Sequence, residues 1–526
     1  MFNFKSMFKL AAAAAAAFVI ASCSGNKAVL ATADNMVPGD AVFAMKVNAD
    51  QLWNKALGEE RSVVRNAWNA GKSMLVMQTA QFGEMGEVAR DILKDPASLG
   101  VDLKQGIVLS VGGEITDIYA EEGVAQIYLV ALLENSEAFL KVADAAVAVA
   151  NAEGGLSAYK DVEESGYTHY VIMSEDGISM DLGVSAESAV LRFMYNETVD
   201  AAALAQSLTA AFVQESAPAE GLQAFYENKA DLSMWGDFEG VMTAYLPFIE
   251  SLDPATASQL QTYMPMYEGG SFVSDLNFEA GKTVIGFYSY GSKEFKEYAQ
   301  RYNTASTDKF FSKLPESSFL VMNIAIKNFA GLVDELCTMS PEYADVFAEL
   351  EESGMDKEFF EGFPGIITLA VDVKELSEEG LPRFAVFAEC EEDVYVLAKS
   401  AVDAALYDYV NEELEFLADM HFGYEDGYMY LVYPSVAGGF DKNELAAAIE
   451  NGGAVVDFAA LPEFVLDELA REISDGLSGQ DILPYMTSVV VVNSADFASA
   501  TVTVNMGDKQ HNFLEKVVLE AVMSAF

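Results

Sequence analysis

Four tyrosines form the densest group of side chains able to recognise a ligand: Tyr424, Tyr428, Tyr430 and Tyr433, set around Asp426-Gly427. Tyr428 and Tyr430 are two apart, so on a strand they share a face, and paired flat rings can stack on a sugar or a peptide. Ordinary strand propensity, which favours tyrosine, is the simpler account. Carboxylates come next. A glycosidase needs two of them facing each other across a cleft, about 5–9 Å apart. Glu391, Glu392 and Asp393, then Glu412, Glu413 and Glu415, supply acids, but the first run sits where a helix begins and suits its dipole. The three histidines, His169, His421 and His511, are too scattered for a zinc spacing. The chain carries no His-Glu-x-x-His, Gly-x-Ser-x-Gly elbow, phosphate loop, dinucleotide fingerprint or calcium loop. Ser306-Thr307-Asp308-Lys309 spells Ser-x-x-Lys without the companion motifs of penicillin-recognising hydrolases. The sequence therefore assigns no catalytic residue, no metal and no cofactor.

The elements that position these residues begin with a leader. Lys5 and Lys9 precede an apolar run ending in Ile20-Ala21-Ser22-Cys23. Residues 1–22 read as a secretory signal peptide, too short for a spanning helix. Ile20-Ala21-Ser22-Cys23 resembles the bacterial lipobox, which implies cleavage before Cys23, a lipid on its thiol and a membrane anchor made by several acyl chains. Ser24 stands where inner-membrane retention would want aspartate, and Gly25-Asn26-Lys27-Ala28 lack the acids of a surface-export signal. The expectation is an outer-membrane lipoprotein facing the periplasm, with exposure at the cell surface as the alternative and residues 23–36 as a tether.

With Lys+Arg 30 against Asp+Glu 82, the net charge is −52, which repels phosphate backbones and excludes nucleic acid as a natural partner. Of the three cysteines, Cys337 and Cys390 remain after lipidation. A disulfide between them is one reading in an oxidising compartment; free buried thiols are the other, because the first half folds without either.

Val37-Pro38-Gly39-Asp40-Ala41-Val42-Phe43-Ala44-Met45-Lys46-Val47-Asn48 returns as Leu314-Pro315-Glu316-Ser317-Ser318-Phe319-Leu320-Val321-Met322-Asn323-Ile324-Ala325. A proline turn launches an alternating strand in each, with Phe43, Met45 and Val47 matched by Leu320, Met322 and Ile324 as the kept apolar face. Further matches follow in order: Gly106-Ile107 with Gly365-Ile366, Glu175-Asp176-Gly177 with Glu425-Asp426-Gly427, Glu227-Asn228 with Glu450-Asn451, and strands from Ser271 and Ser488. The expectation is an α+β protein of two tandem homologous halves, 37–303 and 304–526, each with mainly antiparallel sheets and packed helices in ferredoxin-like, split β-α-β order. The first half carries extra helical sequence over residues 61–94.

Pro38-x-Asp40-Ala41, and Asp95-Pro96 leading to Gly100-Val101-Asp102-Leu103, resemble an uncharacterised lipoprotein family of gut-commensal Gram-negative bacteria. The resemblance implies a lipid-anchored envelope protein and brings no catalytic residue. A non-catalytic module contacting the membrane through Cys23 and binding an envelope protein or glycan is the functional expectation. A hydrolase acting on peptidoglycan or glycans through a carboxylate pair is the alternative.

Overall fold

The computed structural model describes residues 30–524, apart from 61, 80–82, 113–125, 154–155, 162–166, 175–177, 196–200, 214–217, 292, 316, 340, 353–356, 364, 374–381, 411–419, 434–448, 450–451, 463–464, 467–484 and 495–497. Cys23, the Glu175-Asp176-Gly177 turn, the acids at 412–415 and the Glu450-Asn451 pair lie outside the described residues. The chain divides into two compact units: one runs to Phe278 and takes back the stretch from Leu514, and the other spans Glu279–Phe513. Helices and antiparallel sheet make up both.

In the first unit the strands are β1 (Ala41–Val47), β2 (Ile107–Gly112), β3 (Gln126–Leu132), β4 (Leu156–Asp161), β5 (Thr168–Ser174), β6 (Ile178–Val184), β7 (Ser188–Tyr195), β8 (Leu232–Asp237) and β9 (Ser271–Glu279). They lie in the order β4-β5-β6-β7-β3-β2-β1-β8-β9, each pairing antiparallel. The second unit has β10 (Lys282–Tyr290), β11 (Leu320–Ala325), β12 (Ile366–Asp372), β13 (Arg383–Glu389), β14 (His421–Glu425), β15 (Tyr428–Tyr433), β16 (Gly453–Asp457), β17 (Met486–Asn493) and β18 (Ser499–Met506). Their order is β10-β18-β17-β16-β11-β12-β13-β15-β14, again antiparallel throughout. In a split β-α-β unit the two strands joined by the helix run parallel with another strand between them; here β1 and β2, joined through helices, pair directly and antiparallel, as do β11 and β12. β7 and β8 pair with β3 and β1, contacts that the sequence pattern does not reveal. Because β10 pairs with β18, the strand at 282–290 belongs to the second unit, ahead of the boundary expected at 303.

Local chemistry accounts for the elements. Asn48 caps the helix Ala49–Leu57, accepting from the Gln51 amide at 3.3 Å. Asp426 (φ 47°) and Gly427 (φ 82°) form the tight turn between β14 and β15 that Asp-Gly signals. Gly106 (φ 82°) and Gly365 (φ 72°) open β2 and β12 in the left-handed region, and a Cβ on Gly365 would collide with the Ile326 carbonyl oxygen. Gly365→Ala is expected to destabilise the second unit by about 2 kcal/mol, measured as a lower urea midpoint in far-UV dichroism; a midpoint equal to the parent's would contradict the left-handed assignment.

The expected kept face of the first strands requires correction. Phe43, Met45 and Val47 are only half-buried, as are Leu320 and Met322, and Ile324 is exposed. The buried face is the other one: Ala44 and Lys46 in β1, and Val321, Asn323 and Ala325 in β11. Polar atoms sit there because each reaches a backbone carbonyl. Lys46 Nζ donates to the carbonyls of Phe225, Tyr226 and Asn228 at 2.9, 3.0 and 2.6 Å. Asn323 Nδ2 donates to those of Thr307 and Ile449 at 2.9 and 3.1 Å.

Residues 30–36 are not a free tether. Leu30, Ala31, Met36 and Val37 are buried. The Ala31 amide donates to Ser188 Oγ at 2.9 Å, Asn35 Nδ2 to the Phe212 carbonyl at 3.1 Å, and the Val37 amide to the Tyr226 hydroxyl at 3.2 Å. This arm shares one sheet face with the helix Ala201–Ala211. Tyr170, Ile172, Met180, Leu182 and Leu191, pointing to the other face, pack with Phe139, Leu140 and Ala143 of the helix Ser136–Glu153.

Candidate functional site

Alternation along β15 divides the tyrosines. Tyr428 and Tyr430 do share a face, and it is the core face: Tyr428 is 2 % exposed and packs edge-on to Phe310 at 5.1 Å, while Tyr430 lies against Phe387 at 6.3 Å. Tyr433 is also buried and stacks on Phe384. Tyr424, half-buried on β14, stacks on Tyr395 at 5.4 Å. The four rings therefore do not form one open platform. The Tyr428 hydroxyl donates to Glu425 Oε2 at 2.7 Å and meets the Lys313 ammonium. Lys309 and Lys313 also lie over its ring, at 5.3 and 4.8 Å. Burial raises the Tyr428 hydroxyl above its ordinary value, and hydrogen bonds from Tyr428 and Lys313 hold the Glu425 carboxyl low.

Of the histidines, His421 is exposed on β14, and His511 Nδ1 lies 2.8 Å from Asp508. His169 belongs to a buried network that sequence reading missed. Asp181 of β6 and Arg192 of β7 stand directly opposite each other. Arg192 donates to both Asp181 oxygens at 2.9 Å, to the Leu204 carbonyl at 3.0 Å and to Ser207 Oγ at 2.9 Å. His169 Nε2 is 3.0 Å from Asp181 Oδ2. Exposures are 1 % for His169, 0 % for Asp181 and 2 % for Arg192. Burial opposes the Arg192 charge, but hydrogen bonds and the charge of Asp181 outweigh it and raise its basicity. Burial likewise pushes the neighbouring Tyr128 hydroxyl up to about 12. The signal was present: one acid and one base within otherwise apolar adjacent strands imply a buried pair.

Cys337 and Cys390 are both free thiols, the first half-buried and the second buried, and burial raises both above the ordinary thiol value. Cys337 forms part of the wall of a cavity of about 190 Å³ among the helices Phe329–Met339, Pro341–Glu352 and Lys357–Glu361. Ala330, Val333, Phe347 and Phe360 supply its apolar lining, and Asp334, Glu351 and Lys357 its charged border. Lys357 Nζ is 2.8 Å from Asp334 Oδ2, with both side chains 60 % exposed. A second hollow of about 370 Å³ shares Ala330 and Phe360 and includes Asn328, whose positive φ of 54° turns the chain into the first of those helices. Among the described residues, no group of three or more His, Cys, Asp or Glu is placed to hold a metal ion, and no helix is long and apolar enough to cross a membrane.

Antiparallel α+β units with buried ion pairs and an apolar helical cavity define a scaffold class rather than a reaction. The chain belongs to the DUF4836 family, a domain of unknown function, whose model matches residues 33–432, from the arm into β15. No curated protein and no solved structure matches the chain.

Proposed function

We propose that this protein is a lipid-anchored envelope module, made of two copies of one α+β unit, that binds a partner without catalysing a reaction on it. Its anchor is Cys23 in the outer membrane, and its body faces the periplasm. Descent from one duplicated unit is supported by position as well as sequence. Lys46 and Asn323, matched in the repeat, donate to the carbonyls of Tyr226 and Ile449, each of which immediately precedes a matched Glu-Asn pair. Asp237 pairs with Ser271 and caps the helix that follows; Asp457 pairs with Ser488 and caps its own short helix.

The observation carrying the binding reading is the apolar cavity of the second unit. Its lining suits an apolar side chain of an envelope protein better than the hydroxyls of a glycan. Tyr343 and Val346, on one of the cavity's helices, are 50 % and 54 % exposed. A photo-reactive residue in place of Tyr343 is expected to capture one discrete partner in whole cells, and Ala330→Phe, which fills the cavity, to abolish the adduct. Failure to capture a partner from positions 343 and 346, or an adduct indifferent to Ala330→Phe, would count against the reading.

The hydrolase alternative has one observation on its side: Asp334 and Glu351 border the same cavity. It requires Asp334→Asn or Glu351→Gln to remove a measurable turnover of peptidoglycan fragments. The binding reading expects no such turnover in the parent protein.

A further inference from the structure

The arm fixes where the anchor leaves the body. Leu30 is buried beside Leu208 and Gly183, so its side chain lies between the helix Ala201–Ala211 and β6. The Gly39 amide donates to the Ala211 carbonyl at 2.9 Å, and Asn35 reaches Phe212, so the arm follows this helix to its end. Seven residue steps separate Leu30 from Cys23, a covalent path of about 25 Å at most. A lipid on Cys23 therefore holds headgroups close to the sheet face where the arm lies. The opposite face is separated from it by a sheet and helix layer about 20 Å thick.

Charge selects the same side. Helix Ala201–Ala211 reads Ala-Ala-Ala-Leu-Ala-Gln-Ser-Leu-Thr-Ala-Ala and has no ionisable side chain, in a chain with 82 acids. Its exposed positions are Ala202, Ala203, Gln206, Ser207, Thr209 and Ala210, and Val213 just beyond it is 60 % exposed. Asp34 and Asp40 in the arm, the latter exposed and next to Gly39, and Asp200 and Glu215 beyond the helix ends, are the nearest acids along the chain. The helix Ser136–Glu153, on the far side of the sheet, carries Glu137, Lys141, Asp144 and Glu153. Carboxylates are repelled by an anionic leaflet, whereas an uncharged face is not.

We propose that, in the acylated protein, the outer face of helix Ala201–Ala211 is the membrane-docking surface, with helix Ser136–Glu153 turned away from the lipid. The inference rests on acylation of Cys23. The acyl chains supply the affinity, and the docked arm with its uncharged helix supplies the orientation.

The test uses the full acylated chain on vesicles of phosphatidylethanolamine and phosphatidylglycerol doped with a nitroxide-headgroup lipid. A fluorophore is attached at Gln206→Cys or at Ala148→Cys, both exposed positions, in a Cys337→Ser background; Cys390 is buried. Quenching at position 206 is expected to exceed that at 148 by about threefold, the separation being the thickness of the helix and sheet layers. Leu30→Asp, which releases the arm and lengthens the path to the body, is expected to bring the ratio towards one. Equal quenching at the two sites, or stronger quenching at 148, overturns the orientation while leaving the anchor intact. A ratio unchanged by Leu30→Asp overturns the role of the arm. An unmodified Cys23 in a protein that does not stay on the vesicles overturns the anchored reading itself, and this inference with it.

Discussion

Arg192→Met is expected to lower the unfolding free energy of the first unit by about 4 kcal/mol. The substitution keeps most of the side-chain volume but leaves the Asp181 carboxylate, at 0 % exposure, without the two 2.9 Å hydrogen bonds that neutralise it. It also withdraws the donors to the Leu204 carbonyl and Ser207. His169 alone cannot replace a bidentate guanidinium. The double variant Asp181→Leu with Arg192→Met removes both charges, so it is expected to recover at least half of that loss, because a buried pair gives less net stability than breaking it costs. All three tryptophans, Trp53, Trp68 and Trp235, lie in the first unit, so their fluorescence in a urea titration reports on this unit. A single variant within about 1 kcal/mol of the parent would contradict a closed, water-free pair.

Lys46→Met is expected to cost about 3 kcal/mol in the same titration. Three carbonyls, of Phe225, Tyr226 and Asn228, lose their donor together, and the Phe225 ring loses an ammonium 5.4 Å from its centroid. Lys46 also gives the parent a pH signature. Burial lowers it from 10.5 to about 8. Between these values the unfolded chain binds more protons than the folded one, so the Lys46 contribution to stability rises with pH from about 8 to about 10.5 and is flat below that window. The difference in urea midpoint between the parent and Lys46→Met should therefore widen across that window. A constant difference would contradict the lowered basicity.

The limits of each strand were more legible than its surroundings. Strand β1 spans the alternating residues 41–47 that the sequence marks, and the glycines before β2 and β12, matched in the repeat, both adopt positive φ. Which face is buried was not legible, since the apolar pattern of Phe43, Met45 and Val47 outweighs one lysine in any local count. Burial of Lys46 depends on carbonyls some 180 residues downstream. The tyrosines illustrate the same limit. Spacing placed Tyr428 and Tyr430 on one face, but Phe310 and Phe387, from distant segments, make that face core. The cavity was invisible for a related reason: Ala330, Phe347 and Phe360 lie on three separate helices, and only their packing leaves a hollow. Residues 30–36 read as part of a tether because small and polar residues dominate them; Ser188 and Phe212 anchor them, and Tyr226 holds Val37 just beyond.

The proposal of an anchored, periplasm-facing module stands or falls on Cys23. Mass spectrometry of the N-terminal peptide from the membrane fraction is the most direct measurement. The expected peptide begins at Cys23, with a diacylglyceryl thioether on its sulfur and an acylated amino group. A peptide that retains residues 1–22, or that begins at an unmodified Cys23, would contradict the account.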